Sequence, residues 1–344
     1  MTGVQIVVVL RRWTAILFTT ASVAVLSQCT RPPSGVVSVT SRSVPNIRFV
    51  AVEKGVRLEV IDWGGSGRSL VLVAGGGNTA HVFDDFAPSL TAEYHVYGIT
   101  RRGFGVSDWS PPVRASDRLR DDVLAVLDSL KLDRPVLAGH SIAGSELSAV
   151  AAFRPGRVAG FVYLEAAYPY AFENGKGITM TELLGLRALP PPTPRDSDLA
   201  SFRALQAWDA RTFGFRTPQS ELRQTWDSTA DGRPTKARDF PGSAVFAAIL
   251  SDTSRHPNIP GASLVIFAHP HVQEAWMSAS GDSTVRARAD AYFRAVDALT
   301  ERQAKAVADA VPAARVVRIR GMHYIFASNE QDVLRELRAF IDHL

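Results

Sequence analysis

Short apolar runs alternate with amphipathic stretches along most of the chain, and this alternation limits the fold more than any other feature. Apolar runs at 70–74, 94–100, 135–138 and 160–164 are separated by a helix-like stretch at 83–90 and helical patterns at 116–130 and 143–153. Runs of this kind, apolar at nearly every position, read as strands buried on both faces. Their alternation with helices predicts a largely parallel sheet with helices packed on each side. Parallel neighbours need crossover connections, which are nearly always right-handed.

Two short alternating runs, 48–53 and 56–63, flank Lys54-Gly55 and predict an antiparallel hairpin ahead of the parallel strands. The alternation stops at 166–260, where aromatic residues, prolines and the breaker Pro190-Pro191-Pro192-Thr193-Pro194 point to a helical insertion. It resumes with a strand at 264–268, a long helix at 284–310, a strand at 315–319 and a terminal helix at 329–344, with no internal repeat. The expected organisation is a core of 47–167 and 261–344, a cap of 168–260, a linker of 30–46 and a leader of 1–29.

Composition closes off other classes. With 46% hydrophobic and 21% charged residues among 344, the chain is neither disordered, collagen-like nor a coiled coil. Setting aside Arg11 and Arg12 in the leader halves a formal net charge of +4, so no basic footprint for nucleic acid remains and a small-molecule partner is expected. The lone Cys29 excludes an intrachain disulfide and a cysteine-based zinc site. Arg11-Arg12 followed by the apolar stretch 13–26 has the order of a secretory signal and is short for a bilayer span. Leu26-Ser27-Gln28-Cys29 resembles a lipoprotein cleavage site, with Gln28 where a small residue is usual. Export is expected, with the leader or a lipidated Cys29 as the route of membrane attachment.

The strand 135–138 runs through Gly139-His140-Ser141-Ile142-Ala143-Gly144 into a helix, the context of a nucleophile elbow. A serine there sits on strained backbone, so Gly139 and Ala143, two residues to either side, must be small. A serine hydroxyl needs a histidine to take its proton and an acid to orient that histidine. His323, in Gly321-Met322-His323 after the last strand, falls at the same sheet edge as Ser141. The oxyanion donors expected are the N–H groups of Ile142 and Gly76, with Gly77 close behind in the glycine-rich turn after 70–74. Expected substrate contacts are Gly77, His140, Tyr168 and Tyr170, although His140 points along the elbow and reads first as structural. Tyr168, Tyr170, Phe172, Trp208, Phe213 and Phe215 are candidate walls of an apolar pocket. His269-Pro270-His271 has metal-like spacing but no third ligand nearby and reads as a loop, so neither a metal nor another cofactor is expected.

These pieces together resemble the α/β-hydrolase superfamily, over roughly 48–344: the 70–78 turn, Arg101-Arg102-Gly103-Phe104-Gly105-Val106-Ser107, the 139–144 elbow and Gly321-Met322-His323. The resemblance implies an eight-stranded, mostly parallel sheet with a helical cap over the site and an esterase-like serine hydrolase acting on an ester or related acyl bond. Ala74 stands where the family usually has histidine, and Ser141 where epoxide hydrolases and haloalkane dehalogenases carry aspartate. The family's usual place for the acid, after 264–268, holds no carboxylate in its first turn; Glu274 and Asp282 lie further on. Glu165 ends the strand 160–164 at the sheet edge that carries Ser141, and Tyr163-Leu164-Glu165-Ala166 is similar to a dehalogenase branch with its acid there. Glu165 is therefore the expected acid, Asp282 the next choice.

Two other functions fit parts of the sequence. Gly75-x-Gly77-x-x-Ala80 matches a dinucleotide fingerprint and Arg101-Arg102 could hold a 2′-phosphate, the pattern of an NADP-dependent reductase, but this leaves the elbow and His323 unexplained. A non-catalytic ligand receptor on the same fold is the other. If the leader reading is right, intact-mass measurement of protein from its native host gives a chain beginning near residue 29, acylated if Cys29 is lipidated; an unprocessed soluble chain rejects export.

Overall fold

A computed structural model describes residues 44–110, 115–252 and 256–344. The leader, Cys29 and nearly all of the 30–46 linker lie outside them. The predicted hairpin is β1 (Asn46–Glu53) and β2 (Val56–Gly64), and it is followed by β3 (Arg68–Val73), β4 (Tyr94–Ile99), α1 (Ala115–Ser129), β5 (Val136–His140), α2 (Gly144–Phe153) and β6 (Gly160–Leu164). The insertion carries α3 (Met180–Gly185), α4 (Phe202–Phe213), α5 (Gln219–Thr225), β7 (Trp226–Ser228), β8 (Pro234–Ala237) and α6 (Gly242–Ser251). The chain then returns through β9 (Ser263–His271), α7 (Ala275–Ser278), α8 (Ser283–Ala310), β10 (Ala314–Gly321), α9 (Ile325–Ser328) and α10 (Glu330–Ile341).

Among the described residues, eight strands form one sheet in the order β1-β2-β4-β3-β5-β6-β9-β10. β2 is antiparallel to β1 and β4, and every other pairing is parallel. Because successive strand residues point to opposite faces, each central strand feeds two cores. Val71, Val73, Leu137, Phe161, Tyr163, Val265 and Phe267 face one way, against Val126 and Leu127 of α1, Leu147 and Val150 of α2, and Ala304 and Val307 of α8. Leu70, Leu72, Val136, Ala138, Val162, Leu164, Leu264 and Ile266 face the other, against Phe83, Phe86, Phe326 and the α10 side chains Val333, Leu337 and Ile341. The chain thus has the α/β-hydrolase architecture, with helices on both faces and an insertion between β6 and β9. Among the described residues no helix is long and apolar enough to cross a membrane.

Three local expectations differ from the structure. The stretch 83–90 is not one helix but two 3-10 turns, Ala80–Phe83 and Ala87–Leu90. Pro88 has no N–H to continue a helix begun at 83 and clashes with its preceding turn, so it starts a new turn instead. The insertion is helical but also holds the β7–β8 hairpin, whose turn contains Asp231-Gly232 with Gly232 at φ +82°. An Asp-Gly pair between short strands favours such a turn because glycine tolerates the left-handed backbone. Finally, His269-Pro270-His271 is no loop: β9 runs through it, and His271 pairs with Gly321 of β10.

Two residues other than glycine that end central strands have left-handed backbone: Ser141 at φ +53° after β5 and Glu165 at φ +51° after β6. Their turns press against each other at Gly144, where an added Cβ would lie 1.8 Å from the carbonyl oxygen of Ala166. That neighbour is backbone and cannot swing aside. Gly144→Ala should therefore lower the unfolding free energy by about 3 kcal/mol, the upper range for overpacking; a urea midpoint equal to that of the parent protein would contradict this packing.

Candidate active site

Three side chains from three strand ends meet at one edge of the sheet. Ser141 is carried on the turn from β5 into α2, Glu165 ends β6, and His323 lies between β10 and α9. His323 Nε2 is 3.0 Å from Ser141 Oγ, and His323 Nδ1 is 3.2 Å from Glu165 Oε2. With the ring proton on Nδ1 donated to Glu165, Nε2 presents its lone pair to the serine hydroxyl. Asp282 is remote from this chemistry: it is exposed and caps α8, accepting the Thr284 N–H at 2.7 Å. Glu274 borders the cavity and accepts the Trp276 indole N–H at 2.6 Å.

Glu165 is a buried carboxylate with many donors. Its Oε1 accepts the backbone N–H of Ala268 at 2.6 Å, and the Tyr168 hydroxyl lies 3.2 and 3.1 Å from its two oxygens. Burial pushes its pKa up, but hydrogen bonds from His271 and His323 outweigh burial and hold it at about 2. Nothing in the sequence marks His271 or its own partner, Asp297, as part of this site. The one sequence signal is the metal-like spacing of His269 and His271, which lacks a third ligand and reads as a loop; among the described residues no group of three or more His, Cys, Asp or Glu is placed to hold a metal ion.

Ser141 opens onto a cavity of about 770 Å³ beneath the insertion. Gly76, Gly77 and Ile142 border it, and Tyr168, Tyr170, Phe213, Phe215 and Phe246 supply aromatic wall. The Tyr168 hydroxyl is shared between Glu165 and Thr300. Phe172 and Trp208 do not reach the cavity and pack in separate hydrophobic clusters.

His140 is not a substrate contact. It is buried, its Nε2 donates to the carbonyl of His323 at 3.0 Å, and its ring packs against Tyr324 and Phe326. Burial keeps it neutral, with a pKa of about 3. Strand alternation turns His140 toward the opposite face from its neighbours, so it braces the His323 loop from below.

The same geometry removes the dinucleotide reading. Arg101 forms a bidentate pair with Glu146 and donates to the carbonyls of Ala74 and Gly75 at 2.8 and 3.3 Å. Arg102 forms a second pair with Asp122 and also bonds Glu53 and Ser110. Both guanidinium groups are buried, so neither can receive a 2′-phosphate. In the 75–80 loop, where a pyrophosphate would need free N–H groups, the Thr79 N–H instead faces the carboxylate of Glu221 at 3.1 Å. Glu221, on α5, also accepts from Asn78 at 3.0 Å, and burial pushes its pKa up to about 7 against these bonds. Tyr324, next to His323, donates to the other end of Asn78 at 2.9 Å.

Comparison with known proteins gives a consistent picture. The sequence model described as the alpha/beta hydrolase family matches residues 70–336. Among solved structures, E-2-(acetamidomethylene)succinate hydrolase superposes with a TM-score of 0.59 at 17% identity, covering 87% of this chain and 100% of that one. An esterase from Exiguobacterium antarcticum gives 0.54 at 17% identity, covering 86% and 98%. At these identities the likeness is one of fold. The dihydrolipoyllysine-residue acetyltransferase component of the acetoin cleaving system of Pseudomonas putida is 36% identical over 104 residues, 30% of this chain and 28% of that protein. The chain thus spans little more than a quarter of that relative.

The depressed pKa of Glu165 makes stability depend on pH in a definite direction. A carboxyl titrating at about 2 when folded, against an ordinary 4.5, contributes stability that is complete above the ordinary value and lost as pH falls toward 2. In Glu165→Gln the unfolding free energy, measured in urea, should fall less steeply between pH 5 and 2 than in the parent; equal slopes would contradict the hydrogen-bonded carboxylate.

Proposed function

The chain belongs to the alpha/beta hydrolase family, and we propose that within it the protein is a serine hydrolase that cleaves an ester or related acyl bond of a small, largely apolar substrate. The observation that carries this reading is the continuous hydrogen-bonded line from Ser141 Oγ through His323 to Glu165, at 3.0 and 3.2 Å. Ser141 attacks the acyl carbon as its proton passes to His323 Nε2, and Glu165 stabilises the resulting imidazolium. The tetrahedral oxyanion is received by the backbone N–H groups of Ile142, next after the serine, and Gly76, both of which border the cavity. His323 then gives its proton to the leaving group, and water repeats the sequence to release the acid and restore Ser141.

The volume and the aromatic lining from Phe213, Phe215 and Phe246 favour a compact apolar acyl or alcohol group. Export, expected from the leader, belongs to the proposal but is independent of the chemistry. A receptor without catalysis would have no use for a serine held on strained backbone against a histidine, and activity separates the two readings.

Purified protein should hydrolyse p-nitrophenyl esters and be labelled by a fluorophosphonate at Ser141. Ser141→Ala should lower kcat on the order of 10⁶-fold and Glu165→Gln on the order of 10⁴-fold, whereas Asp282→Asn should stay within about twofold, because Asp282 only caps α8. Unchanged turnover in Ser141→Ala, or labelling of another serine, would overturn the proposal.

A further inference from the structure

A second imidazole stands behind the acid. His271 Nε2 lies 3.5 Å from Glu165 Oε2, the same oxygen that faces His323. Its other ring nitrogen, Nδ1, lies 2.8 Å from Asp297 Oδ1, which also accepts the backbone N–H of His271 at 2.9 Å. The His271 side chain is only 6% exposed and that of Glu165 only 1%, so water does not mediate this arrangement from bulk. A neutral imidazole has one N–H and one lone pair. Placed between two carboxylates, it would turn that lone pair onto a carboxylate oxygen; the imidazolium donates to both.

We propose that His271 is a positioning residue held as an imidazolium by Asp297, extending the site to the line Asp297–His271–Glu165–His323–Ser141, and that its fixed charge sets how readily His323 takes up a proton. The inference rests on the catalytic reading above but adds residues outside the triad. His271 keeps both ring protons throughout the reaction. Glu165 divides one negative charge between two rings, and the positive charge on His271 opposes a second one on His323.

The charged and titratable groups around His271 leave this sign intact. Glu165 and Tyr168 approach from the segment after β6, and Asp297 from α8. His269 of β9 lies 3.8 Å from Asp297 and 3.6 Å from Glu301 of α8, and Glu301 is paired with Arg318 of β10. Phe293 of α8 packs on the His271 ring, with Tyr292 beside it, and Glu274 borders the same cavity. The two groups in direct hydrogen-bonding or ion-pair contact with the ring are both carboxylates. Burial works against the charged form of His271, but its bonds to Glu165 and Asp297 prevail.

The test compares the parent with His271→Gln, which keeps a donor for Glu165 without the charge, and Asp297→Asn, which keeps the ring but removes its counter-ion. Asp297 is 25% exposed, so this second variant disturbs the core less. In both, the acid limb of the kcat/KM profile for a p-nitrophenyl ester should move to higher pH, because one positive charge is lost beside the Glu165–His323 pair. A purely structural role would lower activity at every pH and leave the limb in place, which overturns the proposal. Ring nitrogen NMR of the unreacted parent at pH 7 should show both nitrogens of His271 protonated, and one deprotonated in Asp297→Asn. A neutral His271 in the parent overturns it too. The NMR reading needs no turnover, so failure of Ser141 to react with a fluorophosphonate would refute the catalytic reading separately.

Discussion

The site depends on a constraint of backbone geometry: two adjacent parallel strands each end on a residue forced into left-handed conformation. Ser141 and Glu165 both pay for that conformation, since a side chain there crowds its own carbonyl. What holds them is the sheet. β5 and β6 are paired in register from Val136 with Gly160 to His140 with Leu164, so the two turns emerge side by side. Glu165 is fixed further by its own N–H, which donates to Ile266 of β9 at 2.8 Å, and by the Ala268 N–H on its carboxylate. Serine and acid are thus positioned by backbone hydrogen bonds of three strands, and only His323 arrives on a loop.

Around that frame, buried charge does the fine placement. An ion pair removed from water gains little net stability over an apolar pair of the same shape, but it is strict about geometry. Arg101 illustrates this, since its fork grips Glu146 of α2 while two of its nitrogens hold the carbonyls of Ala74 and Gly75. The glycine-rich turn is thereby tied to the helix that follows the serine, and the two backbone segments that flank the cavity cannot drift apart independently. Arg102 with Asp122 fastens the next turn to α1 in the same manner.

How much of this is visible in the sequence follows from the range of each interaction. The central strands are legible because burial on both faces makes them apolar at every position, as in Leu70 to Val73. Ser141, His323 and Glu165 are legible because each sits where a strand ends, and in a parallel sheet those ends share one edge. The β7–β8 hairpin is not, because strands of three and four residues with Trp226 and Pro234 as their buried positions carry almost no periodic signal. His140 could have been read from strand alternation alone, which turns it away from the cavity. His271 and Asp297 could not: their contact requires α8 to lie across the end of β9, and nothing local in a helix of 28 residues marks Asp297 from its other acids.

The bond between Glu221 and the turn at Asn78 and Thr79 changes what the insertion is. Its helix α5 does not merely roof the cavity; it supplies a carboxylate that satisfies the buried polar groups of the turn that carries Gly76 to the cavity wall, and through Asn78 it reaches Tyr324 beside His323. Lifting α5 would take from those donors the acceptor they have in the closed site. The roof and floor of this cavity are accordingly one mechanical part, and the insertion cannot be exchanged for that of a relative as an independent module unless its counterpart also brings an acceptor to Thr79.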